Sequence, residues 1–207
     1  QQKEVIDGAV RDVENASEGV DIWVKGPAGT GKTIVLAHIA HNLKAKNPNR
    51  EILFLTYTHA LKTMIEQTVK EAGLRVSVKT YMKFLYGDVR RGGSKKWDVI
   101  LLDEVQDVGK VDLAALRSVC TNLVVAGDCN QRIYEHGSTE PDIDRVIVFN
   151  KRPLKWLYRI SASIVDVAQR IFPETFLSRD NVRKVGDVTV AISQFERFDE
   201  EVKWVYE

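Results

Sequence analysis

Residues 26–33, "GPAGTGKT", decide the fold of this chain, and the reason lies in what flanks them. On one side "DIWVKG" (21–26) reads as a short buried strand, and on the other "KTIVLAHIAHNL" (32–43) carries apolar residues at helical spacing. A strand, a glycine-rich turn and a helix in that order make a phosphate cradle. Glycines let backbone N–H groups wrap anionic oxygens, and the helix N-terminus adds partial positive charge. Gly26, Gly31, Lys32 and Thr33 meet the spacing G-x-x-x-x-G-K-[ST], with Pro27, Ala28, Gly29 and Thr30 between them. Lys32 is then placed to reach the β- and γ-phosphates of a nucleotide, and the Thr33 hydroxyl to hold Mg2+.

Further strands are predicted at "EILFLTYT" (51–58), "RVSVKTY" (75–81), "WDVILLDE" (97–104), "TNLVVAGD" (121–128), "DRVIVFN" (144–150) and "DVTVAI" (187–192). Helices are predicted over 60–73, near 112–120 and over 162–172. Strands that alternate with helices, and that are near-continuously apolar, imply an α/β fold with a parallel sheet covered on both faces. Ligands of such sheets bind at the carboxyl ends of the strands.

"WDVILLDEVQD" (97–107) places carboxylates at such an end. Ionised carboxylates are costly to desolvate unless something positive or hydrogen-bonding meets them. With a phosphate cradle upstream, Asp103 is the candidate second holder of Mg2+. Glu104 faces differently and is the candidate to orient or deprotonate an attacking water. Helix capping is the plainer reading of the pair. The expected cofactors at this point are a nucleotide with β- and γ-phosphates and Mg2+.

The 207 residues are 44% hydrophobic and 29% charged, enough for a real core. Thirty Lys and Arg against 29 Asp and Glu leave a net charge of +1, so a nucleic-acid partner would need a local patch. Cys120 and Cys129 make neither a disulfide framework nor a metal-ligand spacing, and read as reduced thiols of a cytoplasmic protein. No apolar run approaches the length of a membrane span. The chain starts at Gln1 without Met, and "FDEEVKWVYE" (198–207) reads as a helix cut short, so a longer parent protein is expected.

Five more stretches, taken with the cradle and Asp103–Asp107, carry a resemblance. "QQKEVI" (1–6), "LTYTHAL" (55–61), "KTYMKFL" (79–85), "GDCNQRIY" (127–134) and "LKWLYRISASI" (154–164) resemble, in order, motifs of the superfamily 1 helicases of the UvrD/Rep/PcrA type. The resemblance implies a RecA-like ATP-binding domain over 1–150 and the start of a second RecA-like lobe over 151–207. It implies that Gln2, or Gln1 in another register, bonds the adenine edge and that Tyr158 stacks on it. Arg159 would serve as an arginine finger and Gln131 would sense the γ-phosphate, with Gln106 and Asp107 helping to couple it to nucleic acid. Tyr57, Thr58, His59, Thr80 and Tyr81 would contact single-stranded nucleic acid, although core packing also accounts for Tyr57 and Tyr81.

The chain also departs from that family. "YGDVRRGGSKKW" (86–97) leaves no room for the inserted 1B subdomain. His136 stands where a stronger stacking aromatic is usual, and Leu157 and Ile160 replace polar neighbours of Tyr158 and Arg159. The later motifs V and VI are missing. The implied function is an ATP-dependent DNA helicase or translocase motor core, a fragment or minimal form, with single-stranded DNA preferred to RNA. A C-terminal domain or protein partner would complete it. The alternative is a nucleotide-gated switch that docks a protein and unwinds nothing.

Overall fold

A computed structural model gives the structure of residues 1–71, 73–92, 95–173, 177–184, 186–190 and 196–197. Its centre is a six-stranded sheet of β1 (Asp21–Lys25), β2 (Ile52–Thr56), β3 (Ser77–Thr80), β4 (Trp97–Leu102), β5 (Cys120–Gly127) and β6 (Asn150–Pro153). The spatial order is β3-β2-β4-β5-β1-β6, and every neighbouring pair is parallel. Two features of that order matter later. All carboxyl ends share one edge, and β5 separates β1 from β4.

The strand period of two sorts the core into two layers. Ile22, Val24, Ile52, Phe54, Val99, Leu101, Val124 and Ala126 point to one face. There they meet α1 (Gln2–Asn15), α2 (Lys32–Lys46) and α3 (His59–Glu71). Trp23, Leu53, Leu55, Ile100, Leu102, Leu123 and Val125 point to the other face. They pack on α4 (Lys110–Ser118), α5 (Glu140–Val146) and a seven-residue π-helix, Lys83–Val89. Strands buried on both sides are what the unbroken apolar runs demanded.

Most predicted elements are present within a few residues. The N-terminal helix is an addition, since Val5, Ile6, Ala9, Val10 and Val13 form its buried stripe. The strand expected over 144–150 is corrected. Thr139 and Asp142 close a capping box with Pro141 in the first turn, which drives Glu140–Val146 into a helix instead. Of the apolar run Val146–Phe149, Val146 ends that helix, and Ile147 and Phe149 are buried in the core beyond it. The strand follows it as polar Asn150–Pro153, an edge strand that tolerates its terminal proline. Because β6 pairs with β1, the division expected after residue 150 falls inside the first sheet.

α6 (Ala162–Ile171) is where a helix was expected. Residues 187–190 are not a strand; there Asp187 accepts from the Ser163 amide at 3.2 Å. Residues 191–192 and the helix expected over 198–207 lie outside the described residues. No helix among the described residues is long and apolar enough to cross a membrane.

Phe54 lies wholly buried on β2, under α2 and α3. Phe54→Ala is expected to cost about 3–5 kcal/mol of folding stability. Chemical denaturation should show the midpoint falling with an unchanged slope.

Candidate nucleotide site and the aromatic face beside it

The loop after β1 is built by two left-handed glycines, Gly29 at φ 79° and Gly31 at φ 84°, a region that other residues rarely adopt. Thr30 is buried and donates to Pro27 O at 2.9 Å, closing the turn. Lys32 is buried too, with Nζ donating to Gly26 O at 2.9 Å and Pro27 O at 3.3 Å. The ammonium is therefore held at the centre of the cradle, within reach of any anion the loop N–H groups would bind.

Lys32 also opens α2, so its first turn carries Thr33 toward the end of β4. Thr33 Oγ1 donates to Asp103 Oδ2 at 2.6 Å, joining the two residues expected to hold a metal. Asp103 is 1% exposed. Burial, and then the adjoining Glu104 carboxylate, push its pKa up to about 6 against the opposing pull of Thr33 and Lys32. A dry carboxylate beside a hydroxyl is a donor set suited to a hard cation. No group of three or more His, Cys, Asp or Glu among the described residues could hold a metal. Magnesium bound with phosphates needs only one or two protein ligands, so Thr33 and Asp103 fit that requirement.

Glu104 has φ 55° and ψ 52°, and is the one non-glycine residue with positive φ among those described. Such a backbone costs about 1–3 kcal/mol and persists where surrounding contacts impose it. Here the contacts form a chain. Gln106 Nε2 donates to Glu104 Oε2 at 2.8 Å, and Gln106 Oε1 accepts from the Asp128 amide at 3.1 Å. Gln131 Nε2 donates to Asp128 Oδ2 at 2.7 Å. Gln106 fits because residue 127 is glycine: a Cβ there would lie 2.3 Å from Gln106 Oε1. Asp107 is buried beside this chain, and burial, followed by Glu104, raises its pKa.

The loop is clasped from outside by two distant segments. Gln2 Nε2 donates to Thr30 O at 2.7 Å, so its amide nitrogen braces the cradle. Gln1 Oε1 accepts from the amides of Lys155 and Trp156 at 2.9 and 3.2 Å. Those residues begin a strap whose Tyr158 amide donates to Gly29 O at 2.9 Å. Tyr158 and Arg159 are both exposed on the strap, and the Arg159 Cβ lies beside Gly29. A cavity of about 830 Å3 borders Gly26, Pro27, Asp128 and Lys155. It excludes Lys32, Thr33, Asp103 and Glu104, so it lies beside the cradle and is not the cradle itself.

Along the same edge, the residues expected to meet nucleic acid form a ladder of rings. Tyr57 lies 5.4 Å from Tyr81 and stacks on Tyr134 at 4.9 Å, and Tyr134 stacks on His136 at 5.3 Å. His136 is exposed, whereas Tyr57 and Tyr134 are half-buried. Thr58 and His59 are exposed at the start of α3. Thr80 and Tyr81 are corrected: both are buried, Tyr81 to 2% exposure, because β3 ends under the π-helix. Tyr81 supports Tyr57 from below. Tyr134, which joins the ladder's halves, was visible in "GDCNQRIY" but carried no expected role.

Residues 10–137 match the AAA domain family, well over half of the chain. The chain belongs to that family. No curated protein matches it. Among solved structures, this AAA domain superposes on arterivirus nonstructural protein 10, a helicase solved with DNA. The TM-score is 0.57 and the identity 19%, over 92% of this chain and 47% of the other. The AAA domain chain thus spans about half the length of that protein, with which it shares a fold. Pif1 helicase from Candida albicans gives a TM-score of 0.45 at 17% identity, over 76% of this chain and 40% of the other. Domain III of DnaA from Thermotoga maritima gives 0.46 at 19%, over 82% and 69%.

Two outcomes are expected of this site. Between its ordinary value and about pH 6, folding takes up a proton on Asp103, so stability falls as pH rises through that window. Asp103→Asn removes the buried charge and should raise the melting temperature of the ligand-free protein. The gain should be full above pH 6 and shrink toward pH 4 in thermal melts. Gly127→Ala should displace Gln106 and cost about 1–3 kcal/mol, measured by the same melts.

Proposed function

We propose that the chain is the nucleotide-driven part of a single-stranded-DNA helicase or translocase of the UvrD/Rep/PcrA type, which binds ATP with Mg2+ and hydrolyses it. The observation that carries this reading is the hydrogen-bonded run from Glu104 through Gln106 to Asp128 and Gln131. It ties the expected hydrolytic carboxylate to the loop that bears Tyr134 and His136. A domain that only stored nucleotide has no use for such a connection.

In this reading the loop N–H groups and α2 receive the phosphates, and Lys32 exchanges Gly26 and Pro27 carbonyls for phosphate oxygens. Thr33 and Asp103 would hold Mg2+, which when bound would supply positive charge to the phosphates. Glu104 takes a proton from the attacking water, with Gln106 fixing the orientation of its carboxylate. Gln131 leaves Asp128 for the γ-phosphate, which loosens the loop it starts. Arg159 reaches the γ-phosphate from the strap, and Tyr158 stacks on adenine while Gln2 steadies the loop below. Tyr57, Thr58, His59, Tyr134 and His136 meet the single strand, where each stacked base contributes about 1–3 kcal/mol.

Residues beyond β6 begin a second lobe, for which the parallel bridge between Leu157 and Val182, outside the main sheet, is the support. Translocation then needs the remainder of that lobe from a longer chain or a partner, because movement requires two states that differ in affinity. Free Cys120 and Cys129 suit a reducing compartment such as the cytoplasm. A second reading, a nucleotide-gated switch that docks a protein, is favoured by the short connection across the π-helix, which carries no inserted subdomain.

Steady-state ATP hydrolysis with and without single-stranded DNA separates the two. A motor gains turnover from the strand, and Glu104→Gln is expected to reduce turnover about 100-fold or more while nucleotide binding persists. Arg159→Ala should abolish the stimulation. Turnover that ignores the strand, with binding of ATP intact, sinks the motor reading in favour of the switch.

A further inference from the structure

The cavity of about 830 Å3 lies beside the cradle and shares a wall with it. Gly26 and Pro27 line the cavity, and theirs are the carbonyls that Lys32 Nζ now meets. Asp128, which holds Gln131, lines it as well. The cavity therefore adjoins the groups that would surround a γ-phosphate, without containing the groups that would cut it free. We infer that it receives inorganic phosphate after hydrolysis and holds it as a second anion site, apart from the cradle. The inference rests on the hydrolysis proposed above and follows its product.

Charge is the first argument. Lys25, Arg132 and Lys155 line the cavity against the carboxylates of Asp128 and Glu140. Both carboxylates are already engaged. Glu140 is bonded by Lys25 and, at 2.9 Å, by Lys151. Asp128 accepts from the Asn130 amide at 3.1 Å and from Gln131 Nε2 at 2.7 Å. Arg132 and Lys155 are exposed, and the bond from Arg132 Nη1 to Gly137 O at 3.2 Å offsets none of its charge. A guanidinium with N–H groups to spare suits phosphate oxygens.

Solvation is the second argument. Phosphate is strongly hydrated, and stripping its water is costly unless the protein replaces every bond. The cradle does so with backbone N–H groups around buried Lys32. The cavity works differently. At about 30 Å3 for each molecule of liquid water, its volume admits the ion together with much of its shell.

The third argument is the consequence for Gln131. In the proposed reaction it leaves Asp128 to meet the γ-phosphate. Once the phosphate has moved into the cavity, Gln131 can return to Asp128 Oδ2, the contact seen in the ligand-free protein. Product movement thus resets the hydrogen-bonded run from Glu104 while ADP still fills the cradle. Lys32, Thr33, Asp103 and Glu104 do not border the cavity, so the displaced phosphate is also kept from re-forming ATP.

The test is isothermal titration of inorganic phosphate, at constant ionic strength, into the chain saturated with MgADP. One phosphate is expected to bind. Arg132→Ala and Lys155→Ala change exposed side chains, and each should weaken that binding about 10-fold, the loss of one charge-assisted contact. In both variants a rapid-quench measurement should find ATP cleavage unchanged. Added phosphate should inhibit their steady-state turnover about 10-fold less strongly.

Phosphate binding that both variants retain at full strength overturns the cavity site and returns the ion to the cradle. Cleavage that slows in step with the lost binding overturns it too, since Arg132 and Lys155 would then belong to the chemistry. A chain that binds MgADP and phosphate yet never cleaves ATP overturns the proposed hydrolysis, and with it the product role of the cavity.

Discussion

Asp103 has to sit where water cannot follow, and most of the functional edge is arranged around that constraint. Val99, Ile100, Leu101 and Leu102 are fully buried in the strand before it, so the carboxylate emerges into a dry corner. Its compensation comes from Thr33, Lys32 and the Glu104 amide, and it is incomplete, since the pKa still rises to about 6. Perturbed carboxylates cluster at functional sites. The sheet order serves the same end. With β5 between them, β1 and β4 stand two strand spacings apart, about 10 Å, and the first turn of α2 carries Thr33 across that gap to Asp103.

The second constraint is steric. Gln106 bridges β4 and β5 through a gap that exists because Gly127 lacks a side chain, and Glu104 accepts a left-handed backbone so that its carboxylate can meet Gln106. Each of these compromises is unfavourable alone. Together they lock two loops into one unit, because the amide of Ser138 donates to Gln106 O at 2.8 Å and its hydroxyl to Val108 O at 2.7 Å. The ring ladder hangs from that unit. A change at the nucleotide end therefore has a continuous physical route to the exposed face.

The legible part of the fold was local. Buried parallel strands announce themselves as apolar runs, and the cradle by residue types at fixed spacing, so β1, β2, β4, β5 and α2 could be read directly. The error at 144–150 shows the limit: the apolar residues Val146–Phe149 suggested a strand, while Thr139, Pro141 and Asp142 were already specifying a helix start. β6 has almost no apolar signal and is a strand only because β1 offers it an unpaired edge. Tyr81 and Tyr57 have similar contexts in sequence, yet the π-helix covers one and leaves the other half-buried.

The sequence by itself therefore determined the class of fold, the phosphate cradle with Lys32 and Thr33, and the pair Asp103–Glu104. All of these are written in neighbours along the chain or in a strand's periodicity. Only the tertiary structure decided that Gln2 braces the loop, that Gln106 touches Asp128 and that Tyr134 completes a stack. It alone brought the strap at Tyr158 onto Gly29. The physical reason is the range of the interactions involved. Turn geometry and apolar patterning act over a few residues, whereas hydrogen bonds and ring contacts act over a few ångströms between segments that folding alone makes adjacent.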